Sequence, residues 1–206
     1  MQMNYSLKKI LILLTGLFFS SPFSIMAHAD WVLDPETSHL VYGSIKKNSI
    51  GENNHFQKIE SRISEKGEII LMIDLASVET WVDIRNDRMK EFIFKTARFP
   101  VATLRGQVDM NKFREMPIGS QMIFDMDFEL GLNGLTQPIE AELVIIRLAK
   151  DQIIVLNQEI IFLDAEKFNL LPGLKKLEEL AELPSISTIV PVVFRLTFNH
   201  TLNNKE

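Results

Sequence analysis

Residues 121–130 alternate dry and wet side chains with period two. Met122, Phe124, Met126, Phe128 and Leu130 fall on one side, and Ile123, Asp125, Asp127 and Glu129 on the other. A helix would scatter these residues around its circumference, whereas a strand sorts them onto two faces. The run leads to Asn133-Gly134, the dipeptide that best tolerates the positive φ angles of a tight hairpin. Ile139, Ala141, Leu143 and Ile145 then alternate with Glu140 and Glu142 as the return strand. Pro138 stands near its start, where a missing N–H costs little.

The same logic marks strands over residues 40–46, 55–64, 68–76, 101–109, 153–163 and 189–199, which makes eight. Consecutive hairpins favour antiparallel pairing. Two helical pieces interrupt them. Asn86 or Asp87 can cap a helix through Met89, Phe92 and Ile93. Leu174, Leu177, Leu180 and Ala181 make the apolar stripe of a second, between Pro172 and Pro184. The expected class is all-β, an eight-stranded antiparallel barrel with one or two short helices in the connections. A two-sheet sandwich is the competing architecture, and periodicity does not separate them.

Residues 1–29 read as a secretory signal peptide. Lys8 and Lys9 precede the apolar run 10–19, Ser20, Ser21 and Pro22 break it, and Ala27-His28-Ala29 offers a small-x-small cleavage site. As an anchor helix the run is too short for about 30 Å of hydrocarbon. The mature chain is then a single domain, 30–206. Losing Lys8 and Lys9 but no acid leaves 20 basic against 27 acidic side chains, a formal charge of −7. An exported acidic domain fits the periplasm of a Gram-negative bacterium. The charge argues against a nucleic-acid partner. The absence of cysteine excludes disulfides, thiolate metal sites and thiol nucleophiles.

The chain carries no HExxH, GxSxG, P-loop or GxGxxG pattern. His39, His55 and His200 have no second histidine at metal-ligand spacing. The acid pairs Asp125/Asp127 and Glu140/Glu142 lie on wet strand faces, whereas acid–base catalysis needs carboxyls in contrasting environments. No catalytic residues, metal or cofactor are expected. A hydrolase or isomerase acting on a lipid would need His55 or His39 beside a carboxylate in a pocket.

The dry face admits two readings. Met122, Phe124, Met126, Phe128, Phe194 and Phe198 are plain core in a sandwich. In a barrel they can line a cavity for a hydrocarbon chain. Arg85 and Arg88 can meet an anionic head group at a barrel mouth, with His55 as a further polar candidate, or pair with Asp83, Asp87 or Glu91.

Four segments together resemble the YceI family of exported, lipocalin-like bacterial proteins. They are Trp31-Val32-Leu33-Asp34 with Ser38-His39-Leu40, then Ile73-Asp74-Leu75-Ala76-Ser77-Val78-Glu79-Thr80 with Arg85-Asn86-Asp87-Arg88-Met89. The others are Leu132-Asn133-Gly134-Leu135-Thr136-Gln137-Pro138 and Ile186-Ser187-Thr188-Ile189-Val190-Pro191-Val192. The resemblance spans the mature chain. It implies an extended barrel with a long apolar tunnel that takes polyisoprenoid chains, such as a polyprenol or quinone tail, or fatty acids and their amides. Trp81 replaces the small residue usual after Glu79-Thr80 and is expected to narrow the entrance. A scaffold role beside a membrane redox or envelope-stress system is the alternative, and a homodimer is a further possible assembly.

Overall fold

The Asn133-Gly134 hairpin has a two-residue loop. Both of its residues have positive φ, 52° and 78°, and Leu132 faces Leu135 across it. The structure is a computed structural model and describes residues 30–201. The expected leader, 1–29, lies outside the described residues.

Among the described residues, twelve strand segments form one sheet. They are β1 (Trp31–Leu33), β2 (His39–Lys46), β3 (Ile50–Phe56), β4 (Ile59–Ile63), β5 (Glu68–Asp74) and β6 (Val78–Glu79). Then come β7 (Val101–Gln107), β8 (Gln121–Leu132), β9 (Leu135–Arg147), β10 (Gln152–Asn157), β11 (Ile161–Asp164) and β12 (Ile189–His200). Four pairs run end to end: β1 with β2, β3 with β4, β5 with β6, and β10 with β11. The result is a closed barrel of eight antiparallel staves. β12 closes it, pairing β1 and β2 along one edge and β10 and β11 along the other. Closure leaves no stave with a free edge along its whole length.

One seam is looser. β10 pairs with β9 only from Leu143 to Arg147, and β11 turns away to pair with β12 alone. The first part of β9 is therefore bonded only to β8. This lets β9 start at Leu135 and carry Pro138 opposite Glu129, earlier than the alternation of side chains suggested. A 3-10 turn, Ala165–Phe168, fills the seam. Asn133 Nδ2 donates to the Phe168 carbonyl at 2.9 Å, and the Phe168 ring is fully buried.

Among the described residues, three short α-helices complete the fold: α1 (Asp83–Arg88), α2 (Met110–Arg114) and α3 (Leu171–Leu180). α1 does not begin at Asn86 or Asp87. It begins at Asp83 after the extended Val82, without a side-chain cap. Asn86 lies inside it, its amide committed to the preceding loop. α1 runs on as a wider π-helical turn, Met89–Ile93. α3 packs on that turn through Gly173, where a Cβ would come within 2.3 Å of the Phe92 carbonyl oxygen. α2 was not expected. The Asp109 carboxylate accepts from Asn111 N at 2.9 Å and caps it. Its Met110 and Phe113 side chains are buried in the lower end of the barrel. The Phe113 ring meets Trp31 edge-on at 5.1 Å.

Candidate ligand cavity

The barrel interior has two halves. Below, around the starts of β8 and β10, the space is filled. Phe124, Met126, Leu143, Ile145, Val155 and Phe198 are buried together above the α2 plug, and a void of only about 60 Å³ remains. Above, around the end of β8 and under α1 and α3, lies a cavity of about 440 Å³. Leu71, Leu104, Phe128, Phe194 and Leu196 border both spaces and form the floor between them. The cavity size is within the range of about 300–1,000 Å³ usual for small-molecule sites.

The upper walls are mostly aliphatic. Ile139 and Ala141 of β9 and Leu163 of β11 face inward. Met89 and Ile93, four apart on the helical stretch after α1, cover the cavity from one side. Leu174 and Leu177 of α3, with Ala181 just after its end, cover it from the other. Phe94 packs on Phe56 at 5.5 Å, and Phe56 on Tyr42 at 5.3 Å.

One end of the cavity is polar. Leu40, Tyr42, Ser44 and Lys46 of β2 and Phe56, Asn54 and Glu52 of β3 all face inward, growing more polar toward the hairpin tip. Lys46, Glu52 and Arg85 line the cavity, yet each side chain keeps roughly a quarter of its surface in solvent. Ala181 and Leu183 complete this rim and also reach the surface. This rim is the mouth.

Glu52 carries two charge-assisted bonds, one from each oxygen. Lys46 Nζ donates to Oε1 at 2.8 Å and Arg85 Nη1 to Oε2 at 2.5 Å. Burial pushes the Glu52 carboxyl up, but the bonds and charges of Lys46 and Arg85 outweigh it and hold it below the usual glutamate value. Arg85 Nη2 donates to the Thr80 carbonyl at 2.7 Å. Asn86 Oδ1 accepts from Thr80 N at 2.8 Å and from its hydroxyl at 2.6 Å. Asn86 Nδ2 donates to Glu79 Oε1 at 3.0 Å. That bond, with one from Trp81 N, holds the Glu79 carboxyl below its usual value. The loop from Glu79 to Asn86 is thus a clamp that fixes Arg85 over the mouth.

The residues singled out from sequence are spread along the barrel. Phe128 and Phe194 line the cavity at its floor. Met126 and Phe198 border only the small lower void, and Phe124 is packed in the filled half. Met122 is outside, 37% exposed at the lower rim. Arg85 is at the mouth and pairs with Glu52, not with Asp83, Asp87 or Glu91. Arg88 does not reach the cavity lining. His55 is on the outer face of β3, its ring 5.2 Å from that of Trp81. Trp81 is 76% exposed and leaves the entrance unobstructed, the reverse of the expectation. His39 is exposed, and His200 rests on Trp31 at 4.8 Å. Sequence reasoning missed Tyr42, Lys46 and Glu52. The signal was present in the inward parity of residues 40–46, which runs apolar, aromatic, hydroxyl, cationic.

A YceI-like domain model matches residues 31–198. The chain belongs to the YceI-like family. Among solved structures, this YceI-like chain is 36% identical to a polyisoprenoid binding domain from Saccharophagus degradans implicated in plant cell wall breakdown. The TM-score is 0.82, over 84% of this chain and 99% of that one. BcnA of Burkholderia cenocepacia shares the fold at 16% identity, with a TM-score of 0.63 over 80% of this chain and 98% of that one. The YCEI protein of Campylobacter jejuni shares it at 15% identity, with a TM-score of 0.54 over 72% and 85%. No curated protein matches the chain. Among the described residues, no group of three His, Asp or Glu side chains could hold a metal ion, and no helix is long and apolar enough to cross a membrane.

Proposed function

We propose that this YceI-like protein is an exported carrier of a polyisoprenoid chain, a polyprenol or the tail of a quinone, acting in the periplasm. The observation that carries this reading is the upper cavity, about 440 Å³ of aliphatic space with one polar rim. The chain lies tail-inward against Ile139, Ala141, Leu163 and Leu174, and its polar end stays at the Lys46–Glu52–Arg85 rim. Burying about 300 Å² of chain at about 25 cal/mol per Å² contributes roughly 7 kcal/mol before ordering costs. The 36% identity to a polyisoprenoid binding domain supports this ligand class.

The protein purified after export is to be extracted with organic solvent and the extract analysed by mass spectrometry. The expected result is a stoichiometric isoprenoid lipid, with Asp30 as the first residue of the mature chain. An extract with no long-chain amphiphile, together with no uptake of added farnesol, would overturn the reading.

A further inference from the structure

A further cavity, of about 230 Å³, lies at the α2 end of the barrel, opposite the mouth. Several elements converge on it. β1 supplies Trp31, α2 supplies Arg114, β9 supplies Arg147, the turn after it Lys150, and the end of β12 His200. One wall is aromatic. The His200 ring rests on Trp31 at 4.8 Å, and the Phe113 ring meets Trp31 edge-on at 5.1 Å. The other wall is cationic. The Arg147 guanidinium donates to the carbonyls of Phe113, Arg114, Met116, Ala149 and Lys150, at 3.1 to 3.4 Å. These bonds tie the end of α2 to the turn after β9, and so bring Arg114 and Lys150 to one cavity.

Carbonyl groups bond the Arg147 cation without neutralising it. Among the described residues, none of Arg114, Arg147 and Lys150 makes an ion pair. Glu65 is the one carboxylate that lines the cavity, and Glu115 and Asp151, beside Arg114 and Lys150 in sequence, do not. Three cations against one carboxylate leave two positive charges, in a chain whose formal charge is −5. Capping the end of α2 accounts for Arg147. It does not account for Arg114 and Lys150, whose side chains are exposed.

We infer that this cavity is a second binding site, separate from the ligand cavity, for a small phosphate monoester. Its two negative charges match the two positive charges that the fold leaves unpaired, whereas a monoanion meets only one. Arg114 and Lys150 donate charge-assisted bonds to the phosphate oxygens. Arg147 adds its charge from a fixed position, and the body of the ester lies on the Trp31–His200 wall. The acidic surface beyond the cavity disfavours a long polyanion. A soluble ester and the head of phosphatidic acid present the same chemistry. The site stands whether or not the upper cavity carries an isoprenoid.

Trp31 reports on binding directly, because the other tryptophan, Trp81, is at the mouth and can be removed as Trp81→Phe. In that protein, inorganic phosphate and glycerol 3-phosphate are titrated at constant ionic strength against chloride, and Trp31 fluorescence is followed. Phosphatidylcholine vesicles with and without phosphatidic acid form a second arm, read by co-sedimentation. The expected result is a saturable response to a phosphate monoester in at least one arm and none to chloride or to phosphatidylcholine alone. Arg114→Gln combined with Lys150→Gln should weaken that binding at least about tenfold, with the unliganded thermal midpoint unchanged. Glu65→Gln removes the opposing charge and should tighten it about threefold, a gain that general damage does not produce. Binding of the soluble esters alone assigns a soluble ligand, and binding of the phosphatidic acid vesicles alone assigns a lipid head. No saturable response in either arm, an equal response to chloride, or full binding by the double variant would overturn the site.

Discussion

The two halves of the barrel are made by the same staves and the same alternation, yet one is filled and the other is hollow. In the lower half, aromatic rings from β8 and β12 meet the α2 plug, and about 60 Å³ is left over. In the upper half, aliphatic side chains and the small Ala102 and Ala141 face one another across about 440 Å³. Side-chain volume and a five-residue helix make the difference, not strand pattern. The lower half anchors the fold, and the upper half is free to hold something.

Truncation should separate the two halves most sharply. Phe198→Ala, in the filled half, is expected to cost about 3–5 kcal/mol by urea unfolding. Leu174→Ala already borders open space, creates little new cavity, and should cost only about 1 kcal/mol. Equal losses would mean that the upper half is packed in solution. Next in size is filling rather than emptying. Ala141→Phe should lower affinity for a farnesyl chain at least about tenfold, with unfolding free energy changed by no more than about 1 kcal/mol. A large loss of stability there would show that the hollow half cannot accept a ring.

Acid should act on the mouth. The Glu52 carboxyl is held below its usual 4.5, so the unfolded chain takes up the proton first. The stability that Glu52 contributes is complete above that usual value and is lost as pH falls through the lower, folded one. Unfolding free energy followed from pH 6 to pH 3 should therefore decline below about 4.5, less steeply in Glu52→Gln. An unchanged slope in that variant would remove the rim ion pairs from the account. The smallest effect is expected at Trp81, which sits at φ 63°. Trp81→Gly relieves the left-handed strain and loses the His55 contact, for a net change within about 1 kcal/mol, and ligand affinity should hold.

The staves were legible because period two is a property of the backbone. Residues 121–130 and their partner strand follow the alternation through to the observed register. The halves were not legible, because a dry face looks the same whether it meets another side chain or empty space. Met122 and Phe128 share a parity, yet one ends outside at the lower rim and the other in the cavity floor. Only distance along the stave distinguishes them. The α2 plug had a readable cue in Asp109 capping Met110 and Phe113, but five residues are too few for periodicity to register. The helix expected from Asn86 began earlier because that amide was bonding Thr80. The capping preference yielded to a bond six residues back along the chain.

The floor of Leu71, Leu104, Phe128, Phe194 and Leu196 also makes the barrel a gauge. With the bottom stopped and the polar rim above, a chain is measured from one end only. The space above the floor, about 440 Å³, is finite. A longer tail must fold back or trail out past Ala181 and Leu183. On the carrier reading, the sorting of short tails from long ones is set by where five side chains cross the barrel, at the far end of the cavity from the polar rim.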